Sequence, residues 1–271
     1  MIVTTAGRTN DQMIRTAIRV AMELDLPYIE RNKKSIGLLQ TQYKTDVLVI
    51  GKDRIEWFIL GTSNPVFFHP NSAAFRAKRW LSGEVEPFLQ ATTLKSGMSF
   101  LDCTLGLASD SIMASLVTGS AGKVTGIEAN KLLSYIVSTG LQNWELQNEE
   151  TEQSMRRIEV VQGNHLDILQ TLPFDSYDVV YFDPMFERQI EESTGILSIR
   201  NIAHYGELTQ RTMEEAKRVA RKRVVLKDHW QSERFERFGF TRMVRKSSKF
   251  HYGYWEKKTD LGQTIEDFTK Y

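Results

Sequence analysis

The sequence predicts an α/β protein whose main part is a mostly parallel, Rossmann-like sheet with helices on both faces. Two observations support this prediction. From Glu86 onward, short apolar runs alternate with stretches of helical periodicity, a pattern typical of parallel βαβ units. Several of these runs end in a turn with polar residues or glycine, as strands do at the ligand-binding edge of such a sheet. A shorter pattern of the same kind in the first 65 residues predicts a small additional α/β domain.

The predicted elements alternate along the chain. In the main domain, strands are expected at 99–103, 123–128, 158–162, 179–182 and 223–227. Helices are expected near 87–94, 110–117, 131–147, 168–172 and 208–220, and an antiparallel hairpin at 242–245 with 250–256. In the N-terminal part we expect strands at 2–5 and 26–30, helices at 11–24 and 36–43, and a hairpin of 46–50 with 56–60. The predicted divisions are an N-terminal domain (1–65), a connecting helical segment (66–96), a main domain (97–258) and a tail (259–271).

Composition and length exclude several classes of protein. With 271 residues, 41% of them hydrophobic and 25% charged, the chain can bury a core and is unlike disordered or fibrous sequences. No apolar stretch approaches the about 18 residues of a membrane helix, and the N-terminus lacks the features of a signal peptide. The one cysteine, Cys103, excludes an internal disulfide and fits a reducing compartment. We therefore expect a soluble, cytoplasmic protein that does not contact membranes.

The net charge of +1 hides an uneven distribution of charge. Residues 200–258 contain 16 lysines and arginines but 7 acids, whereas the rest of the chain contains 19 and 27. A basic C-terminal third can lie along the phosphates of a nucleic acid. Solvated helix faces would give the same count, so charge alone does not decide between the two interpretations.

The most informative motif follows the apolar run 179–182. Asp183, Pro184 and Phe186 come directly after this run, and the proline ends the strand at once. These residues are therefore expected at the carboxyl end of a buried strand, where open α/β sheets hold their ligands. A carboxylate, backbone carbonyls freed by the proline and a flat ring suit a planar group that carries an NH2. In isolation, an ordinary Asp-Pro turn would explain the same residues.

A second strand end lies at 102–110 and contains one glycine. Asp102 ends the strand, Gly106 allows a turn, and a helix is expected from Asp110. Backbone N–H groups at such a turn can hold a ligand. One glycine makes neither a dinucleotide fingerprint nor a P-loop, so a purely structural turn explains the segment equally well.

Two further strand ends carry polar residues. Glu128 ends the next predicted strand, about 20 residues after the glycine turn, where an acid can accept hydrogen bonds from ribose hydroxyls. It can also be a solvent-facing neighbour of a helix N-cap. The polar residues of 163–167 can contact an adenine edge, or Asp167 can cap the helix that follows. The order of the four strand ends is that of class I S-adenosylmethionine-dependent methyltransferases.

The chain resembles the ribosomal RNA small-subunit methyltransferase J family over about residues 97–255. The motifs that carry the resemblance are 102–110, Glu128 after its strand, 179–186 with its Asp-Pro-Met-Phe, 222–227, and the hairpin around 249–253. The resemblance implies a class I methyltransferase fold, S-adenosylmethionine as cofactor, and methylation of the exocyclic N2 of a guanine in 16S rRNA. The implied partner is rRNA or the small ribosomal subunit. The chain departs from the family at Ala108, Ser109 and Glu187, where glycine, arginine and proline are usual.

The resemblance also implies roles for individual residues. The implied cofactor contacts, together with the strand-end acid and the glycine of the turn, are Asp102, Gly106, Ser109, Asp110, Glu128, Ala129, Asn164, His165 and Asp183. Asp183 and the carbonyl of Pro184 would accept hydrogen bonds from the amine, and Phe186 would stack on the base. The expected substrate-binding residues are Phe186, Lys227, His69 and Arg76. Lys227 can hold a phosphate or a base carbonyl, or be a buried lysine paired with an acid.

Two other functions stay open from the sequence. One is a methyltransferase that acts on a small molecule or a protein side chain. A preference for free small substrates, with no salt-sensitive binding of RNA, would favour it. The other is a non-catalytic cofactor-binding or RNA-binding module, which failure to bind S-adenosylmethionine would favour. The five histidines show no close ligand spacing, so no metal is expected. The sequence leaves the oligomeric state open.

Overall fold

Two β-sheets organise the chain in the computed structural model, which describes residues 1–62, 64–184 and 208–258. The strands are β1 (Ile2–Thr5), β2 (Val47–Ile50), β3 (Ile55–Phe58), β4 (Ser99–Asp102), β5 (Lys123–Glu128), β6 (Ile158–Gln162), β7 (Tyr177–Phe182), β8 (Ala220–His229), β9 (Thr241–Met243) and β10 (Phe250–Glu256). The helices are α1 (Asp11–Leu24), α2 (Ile36–Tyr43), α3 (Asn71–Leu81), α4 (Pro87–Thr92), α5 (Ser109–Thr118), α6 (Lys131–Asn143), α7 (Glu149–Arg156), α8 (His165–Thr171), α9 (Gln210–Val219) and α10 (Arg234–Arg237).

The larger sheet has seven strands in the order β6-β5-β4-β7-β8-β10-β9. Strand β10 runs antiparallel to both of its neighbours, and the other pairs are parallel. From β4 the chain builds β5 and β6 on one side, and β7 and β8 on the other. This reversal makes the gap between β4 and β7 a topological switch point, where open α/β sheets hold ligands. The predicted class I methyltransferase-like sheet is confirmed.

The central strands are mostly buried because helices cover both faces of the sheet. All six residues of β7 are buried, as expected for a parallel strand packed from both sides. One face packs against α5 and α6, with Met113 and Leu133 in its core. The other face packs against α8 and α9, with Leu169 and Met213 in its core. None of the helices in the described part of the chain is long and apolar enough to span a membrane.

The N-terminal part forms a three-stranded sheet that shares a core with the main domain. Strands β1 and β2 pair in parallel, and β3 returns antiparallel to β2. Helix α1 begins at Asn10, whose side chain accepts a hydrogen bond from the Met13 N–H. Its buried residues Ala17 and Val20 belong to the same apolar cluster as Phe88. The small sheet is therefore packed against the larger one.

Three local predictions were wrong. The strand expected at 26–30 is a single bridge between Val3 and Tyr28. The helix expected at 131–147 ends at Asn143, and a separate helix, α7, follows it. Helix α8 begins at His165 because the side chain of Asn164 accepts a hydrogen bond from the Leu166 N–H (2.8 Å). Asp167 consequently lies in the first turn of this helix rather than at its cap.

Candidate active site

A cavity of about 540 Å³ opens at the carboxyl edge of the larger sheet. Helices α3 and α4 form one side of it, and the ends of β4, β7 and β8 form its floor. The predicted site residues that line it are Arg76, Asp102, Gly106, Ser109, Asp110, Asp183 and Lys227. Two strand ends that lie about eighty residues apart in the sequence thus meet in one cavity.

Asp183 is held at the end of β7 by the neighbouring strand β4. Its backbone N–H donates a hydrogen bond to Thr104 Oγ1 (2.6 Å), and the Cys103 N–H donates to the Tyr181 carbonyl (2.9 Å). These contacts follow from the parallel pairing of β4 with β7. They hold the glycine turn against the Asp-Pro motif, so the two motifs are direct neighbours in the fold.

Lys227 lies beside Asp183 because β8 is the next strand in the sheet and Leu226 pairs with Phe182. Its Nζ donates to Asp183 Oδ2 at 2.5 Å and lies 3.4 Å from Asp110 Oδ2. Burial would lower the pKa of Lys227, but Asp110 and Asp183 outweigh burial and raise it. The lysine is therefore a protonated donor paired with acids and cannot serve as a base.

Asp110 is the centre of a buried charge cluster. Its carboxylate accepts hydrogen bonds from Arg76 Nη1 (2.7 Å) and the Tyr181 hydroxyl (2.7 Å), in addition to Lys227. Burial would raise the pKa of Asp110, but Lys227 and Arg76 outweigh it and hold this pKa below its usual value. Arg76 Nη2 donates to Glu86 Oε1 (2.8 Å), which ties α3 to the start of α4. Asp110, expected as a cofactor contact, thus has three protein partners.

Two carboxyl groups of the cavity, those of Asp102 and Asp183, have raised pKa values. Burial, with added repulsion from Asp110 and Asp183, raises the pKa of Asp102 to about 7. Burial also raises the pKa of Asp183 to about 6. The attraction of Lys227 lowers this pKa, but repulsion from Asp110 partly offsets that attraction. Asp102 accepts hydrogen bonds from the Ser111 hydroxyl (2.7 Å) and the Thr104 N–H (3.0 Å). A cation in the cavity would lower both raised pKa values.

Glu128 contacts the glycine turn but is not among the residues that line the cavity. It is buried at the end of β5, where its Oε2 accepts from the Gly106 N–H (3.2 Å) and its Oε1 from the Asn130 N–H (2.9 Å). Gly106 has φ 51, a conformation that favours glycine. Gly126 allows the turn to pack on β5, since a Cβ there would lie 2.3 Å from Leu105. Glu128 supports the turn, and Gly106 in that turn lines the cavity.

The remaining predicted cofactor contacts lie around the ends of β5 and β6. The Ala129 carbonyl accepts from Gln162 Nε2 (3.2 Å), and Asn164 caps α8. His165 is buried with its ring edge-on to Phe182, and burial lowers its pKa. The 540 Å³ cavity is not lined by four of the predicted cofactor contacts, which are Glu128, Ala129, Asn164 and His165.

Of the three remaining predicted site residues, the structure describes His69 and Pro184 but not Phe186. His69 packs beside Phe67 (5.4 Å between ring centroids) and does not line this cavity. Pro184 is buried directly after β7. Phe186, predicted to stack on the substrate, lies outside the described residues. Within the described ranges, no group of three or more His, Cys, Asp or Glu side chains is placed to hold a metal ion.

The structure shows the surroundings of two positions at which the chain departs from the family pattern, Ala108 and Ser109. Ala108 has φ 62 at the N-cap of α5, a left-handed conformation that costs an L-residue about 1 kcal/mol more than glycine. This cost explains why glycine is usual there. Ser109 stands where arginine is usual, and its hydroxyl accepts from Arg76 Nη1 (3.2 Å). A guanidinium supplied by α3 therefore lies next to this position.

One wall of the cavity was missed from the sequence. It consists of Phe250 and Tyr252 on β10 and of Arg245 in the turn before it. Tyr252 pairs with Lys227 in the sheet, and Phe250 lies 5.0 Å from Lys227 Nζ and 4.7 Å from the Arg245 guanidinium. The spacing of the two aromatic residues predicts that they share a strand face. It does not predict that β10 inserts beside β8.

The seven-stranded sheet, with a cavity at its switch point, has the architecture of a class I methyltransferase. Among solved structures, the SAM-dependent methyltransferase NGO1261 of Neisseria gonorrhoeae superimposes with a TM-score of 0.62. The superposition covers 94% of this chain and 96% of that one at 18% identity, which shows a shared fold. The chain belongs to the family described as "Putative SAM-dependent methyltransferase", whose profile matches residues 31–251. Its cofactor is S-adenosylmethionine.

Sequence relatives extend this result. The "Uncharacterized protein YpiP" of Bacillus subtilis (strain 168) is 49% identical over 252 residues, covering 93% of this chain and 98% of the relative. The ribosomal RNA small subunit methyltransferase J of Ectopseudomonas mendocina (strain ymp) is 29% identical over 158 residues. That match covers 56% of this chain and 58% of the relative. The predicted resemblance to the methyltransferase J family is confirmed as a distant relationship.

Proposed function

We propose that this methyltransferase modifies an exocyclic amine of an rRNA base, with guanine N2 of 16S rRNA as the specific target. The observation that carries the proposal is the pairing of Asp183 with Lys227 inside the cavity. A carboxylate beside an ammonium offers an acceptor next to a donor. The edge of a base presents the complementary arrangement, with an amine near an acceptor atom.

The residues around the cavity fit the cofactor. S-adenosylmethionine supplies a methyl group that is already activated by a positively charged sulfur. Burial is the main cause of the raised pKa values of Asp102 and Asp183, and repulsion from neighbouring carboxylates adds to it; a cation would relieve that repulsion. Backbone groups of the turn at Gly106, supported by Glu128, would hold the cofactor together with Ser109. We extend this set to Asp110, Ala129, Asn164 and His165, as the family resemblance implies.

The chemical task of the protein is then to align the acceptor amine. Asp183 and the Pro184 carbonyl would accept hydrogen bonds from the two N–H groups, which directs the nitrogen lone pair toward the methyl group. Lys227 would donate to the neighbouring acceptor atom of the base. Since the pKa of Asp183 is about 6, its carboxylate is ionised at neutral pH and able to accept a proton. Phe186 would stack on the base.

RNA is the substrate class that the charge distribution favours. Four cations and no acid lie between residues 242 and 249, next to the cavity wall. A relative 29% identical to this chain is named a ribosomal RNA methyltransferase. His69 and Arg76 are kept as substrate-side residues, although Arg76 acts in the structure through Asp110 and Glu86. Processing of rRNA in the cytoplasm is part of this proposal.

The division of the chain into domains also remains a proposal. Its support is that the small sheet ends at Phe58 and the large one begins at Ser99, with α3 and α4 between them.

Labelled S-adenosylmethionine tests the proposed function directly. The enzyme is incubated with total RNA, total protein and the small-molecule fraction of a strain that lacks the gene. We expect label in small-subunit rRNA, released on digestion as N2-methylguanosine. Label in the protein or small-molecule fraction, with none in RNA, would contradict the proposal.

A further inference from the structure

The rim of the cavity carries cations and exposed apolar side chains on two sides, formed by segments that lie far apart in the sequence. On the first side, α3 and the turn after it present Arg79, with Phe75 63% exposed and Val85 68% exposed. Arg79 and Val85 themselves line the cavity. On the second side stands the β9–β10 turn, residues 244–249, which contributes Arg245 to the cavity wall. Exposed apolar groups this close to arginines are typical of a binding surface.

The β9–β10 turn is ordered by its own hydrogen bonds. The Ser248 N–H donates to the Arg245 carbonyl (3.1 Å), and the Ser248 hydroxyl accepts from Arg245 Nη1 (3.1 Å) and from the Phe250 N–H (3.3 Å). These bonds hold the Arg245 guanidinium 4.7 Å from the centre of the Phe250 ring. The stacked pair is thus formed before any ligand arrives, which lowers the entropic cost of binding.

The charges of the rim match a polyanion. Arg245, Lys246 and Lys249 lie in the turn with no acid among them, and the two lysines are exposed. On the other side, Arg79 Nε donates to Glu84 at 2.7 Å, but both side chains are about half exposed. An exposed pair of this kind contributes little and can exchange for a phosphate. Arginine stacked on a ring and flanked by lysines is an arrangement that holds single-stranded nucleic acid.

We infer that the β9–β10 turn and the C-terminal end of α3 form a clamp for single-stranded RNA on the two sides of the cavity mouth. Arg245 and Lys246 contact phosphates next to the target nucleotide, and Arg79 contacts the strand on the other side. The target base passes between them into the cavity, as a base must leave its stack before an enzyme can modify it. This inference rests on the proposed function and adds where the RNA backbone lies.

Charge changes in the turn test the clamp. The variants are Lys246→Glu, Arg245→Ala and Arg245→Lys, and the matched control is Lys95→Glu. Lys95 is an exposed lysine that precedes β4, at the edge of the sheet opposite the cavity. Each protein is assayed with rRNA from the deletion strain for the RNA dissociation constant at several salt concentrations, for KM and kcat, and for cofactor affinity by calorimetry.

We expect Lys246→Glu and Arg245→Ala to weaken RNA binding and raise the KM for RNA about tenfold. The slope of log affinity against log salt should fall by about 1 for Arg245→Ala. Arg245→Lys should keep this slope but lose affinity, because lysine cannot stack as guanidinium does. Cofactor affinity should be unchanged and kcat within about twofold of wild type in Lys246→Glu, since Lys246 does not line the cavity.

The results separate the clamp from the proposed function. If wild-type enzyme methylates RNA while Lys246→Glu and Arg245→Ala behave like Lys95→Glu, the clamp is wrong and the proposed function stands. If wild-type enzyme neither binds nor methylates RNA, the proposed function fails and the clamp fails with it.

Discussion

Asp183 and Lys227 end neighbouring strands and form an ion pair of 2.5 Å inside the cavity. The same ammonium lies 3.4 Å from Asp110, so one lysine is shared between two carboxylates. Asp110 is also held by Arg76 and Tyr181. We therefore propose that Asp110 is the fixed partner and that Asp183 exchanges Lys227 for an N–H of the substrate.

The first prediction concerns Asp183→Asn. The amide keeps the size of the side chain but loses the charge that attracts the target amine. We expect methyl transfer to fall by at least about 100-fold, while calorimetric binding of S-adenosylmethionine changes little. Asp53→Asn, a change at an exposed residue between β2 and β3 that does not line the cavity, is the matched control. Wild-type turnover in Asp183→Asn would refute the role of this carboxylate.

The second prediction concerns pH. Only the ionised Asp183 accepts a hydrogen bond on both oxygens, and its pKa is raised to about 6. The kcat/KM for S-adenosylmethionine, which reports the enzyme before the cation binds, should therefore increase as pH rises through about 6 and then level off. Lys227 lowers the pKa of Asp183, so Lys227→Met should move this increase to higher pH, whereas Lys227→Arg should leave it nearly in place. A pH profile that is flat, or that shifts to lower pH in Lys227→Met, contradicts this prediction.

The third prediction separates cofactor binding from catalysis. Glu128→Ala removes the acceptor of the Gly106 and Asn130 N–H groups and loosens the glycine turn. We expect about a tenfold loss of S-adenosylmethionine affinity, the equivalent of one charged hydrogen bond of about 1.5 kcal/mol. Calorimetry measures the affinity, and the melting temperature controls for loss of the fold. An unchanged affinity would remove Glu128 from the cofactor site.

The fourth prediction concerns stability. Arg76→Met leaves the carboxylates of Asp110 and Glu86 without their shared guanidinium in a region that is mostly buried. Breaking such a cluster should lower the free energy of unfolding by about 3 kcal/mol. Arg79→Met, one turn away on the same helix, removes only an exposed pair and should lower the free energy of unfolding far less. Denaturant unfolding of the two variants measures the difference, and equal losses would contradict it.

Much of the fold could be predicted because each central strand is an apolar run that stops at a marked residue. The strands before Asp102, Glu128 and Asp183 were all expected, and the parallel sheet brings the ends of the first and third into one cavity. The wall formed by Phe250 and Arg245 could not be predicted in the same way. Its position depends on β10 inserting between β8 and β9, and chain order carries no signal for that insertion.

The hydrogen-bond partners of individual side chains could not be predicted from the sequence either. Glu128 was expected to contact the ribose, which stays a prediction, and its hydrogen bond from the Gly106 N–H was not foreseen. Thr104 and Tyr181 were not singled out, because a hydroxyl that bonds a neighbouring strand or a buried acid looks like any other strand residue. Their roles follow only from the pairing of β4 with β7.

The most direct test of the alignment by Asp183 and Lys227 is a nucleoside analysis of small-subunit rRNA labelled by wild-type and Asp183→Asn enzymes side by side. The account predicts a methyl group on the exocyclic nitrogen of one base with wild type, and none with the variant although it still binds S-adenosylmethionine. A methyl group on a ring carbon or a ribose oxygen, or equal labelling by both enzymes, would contradict it.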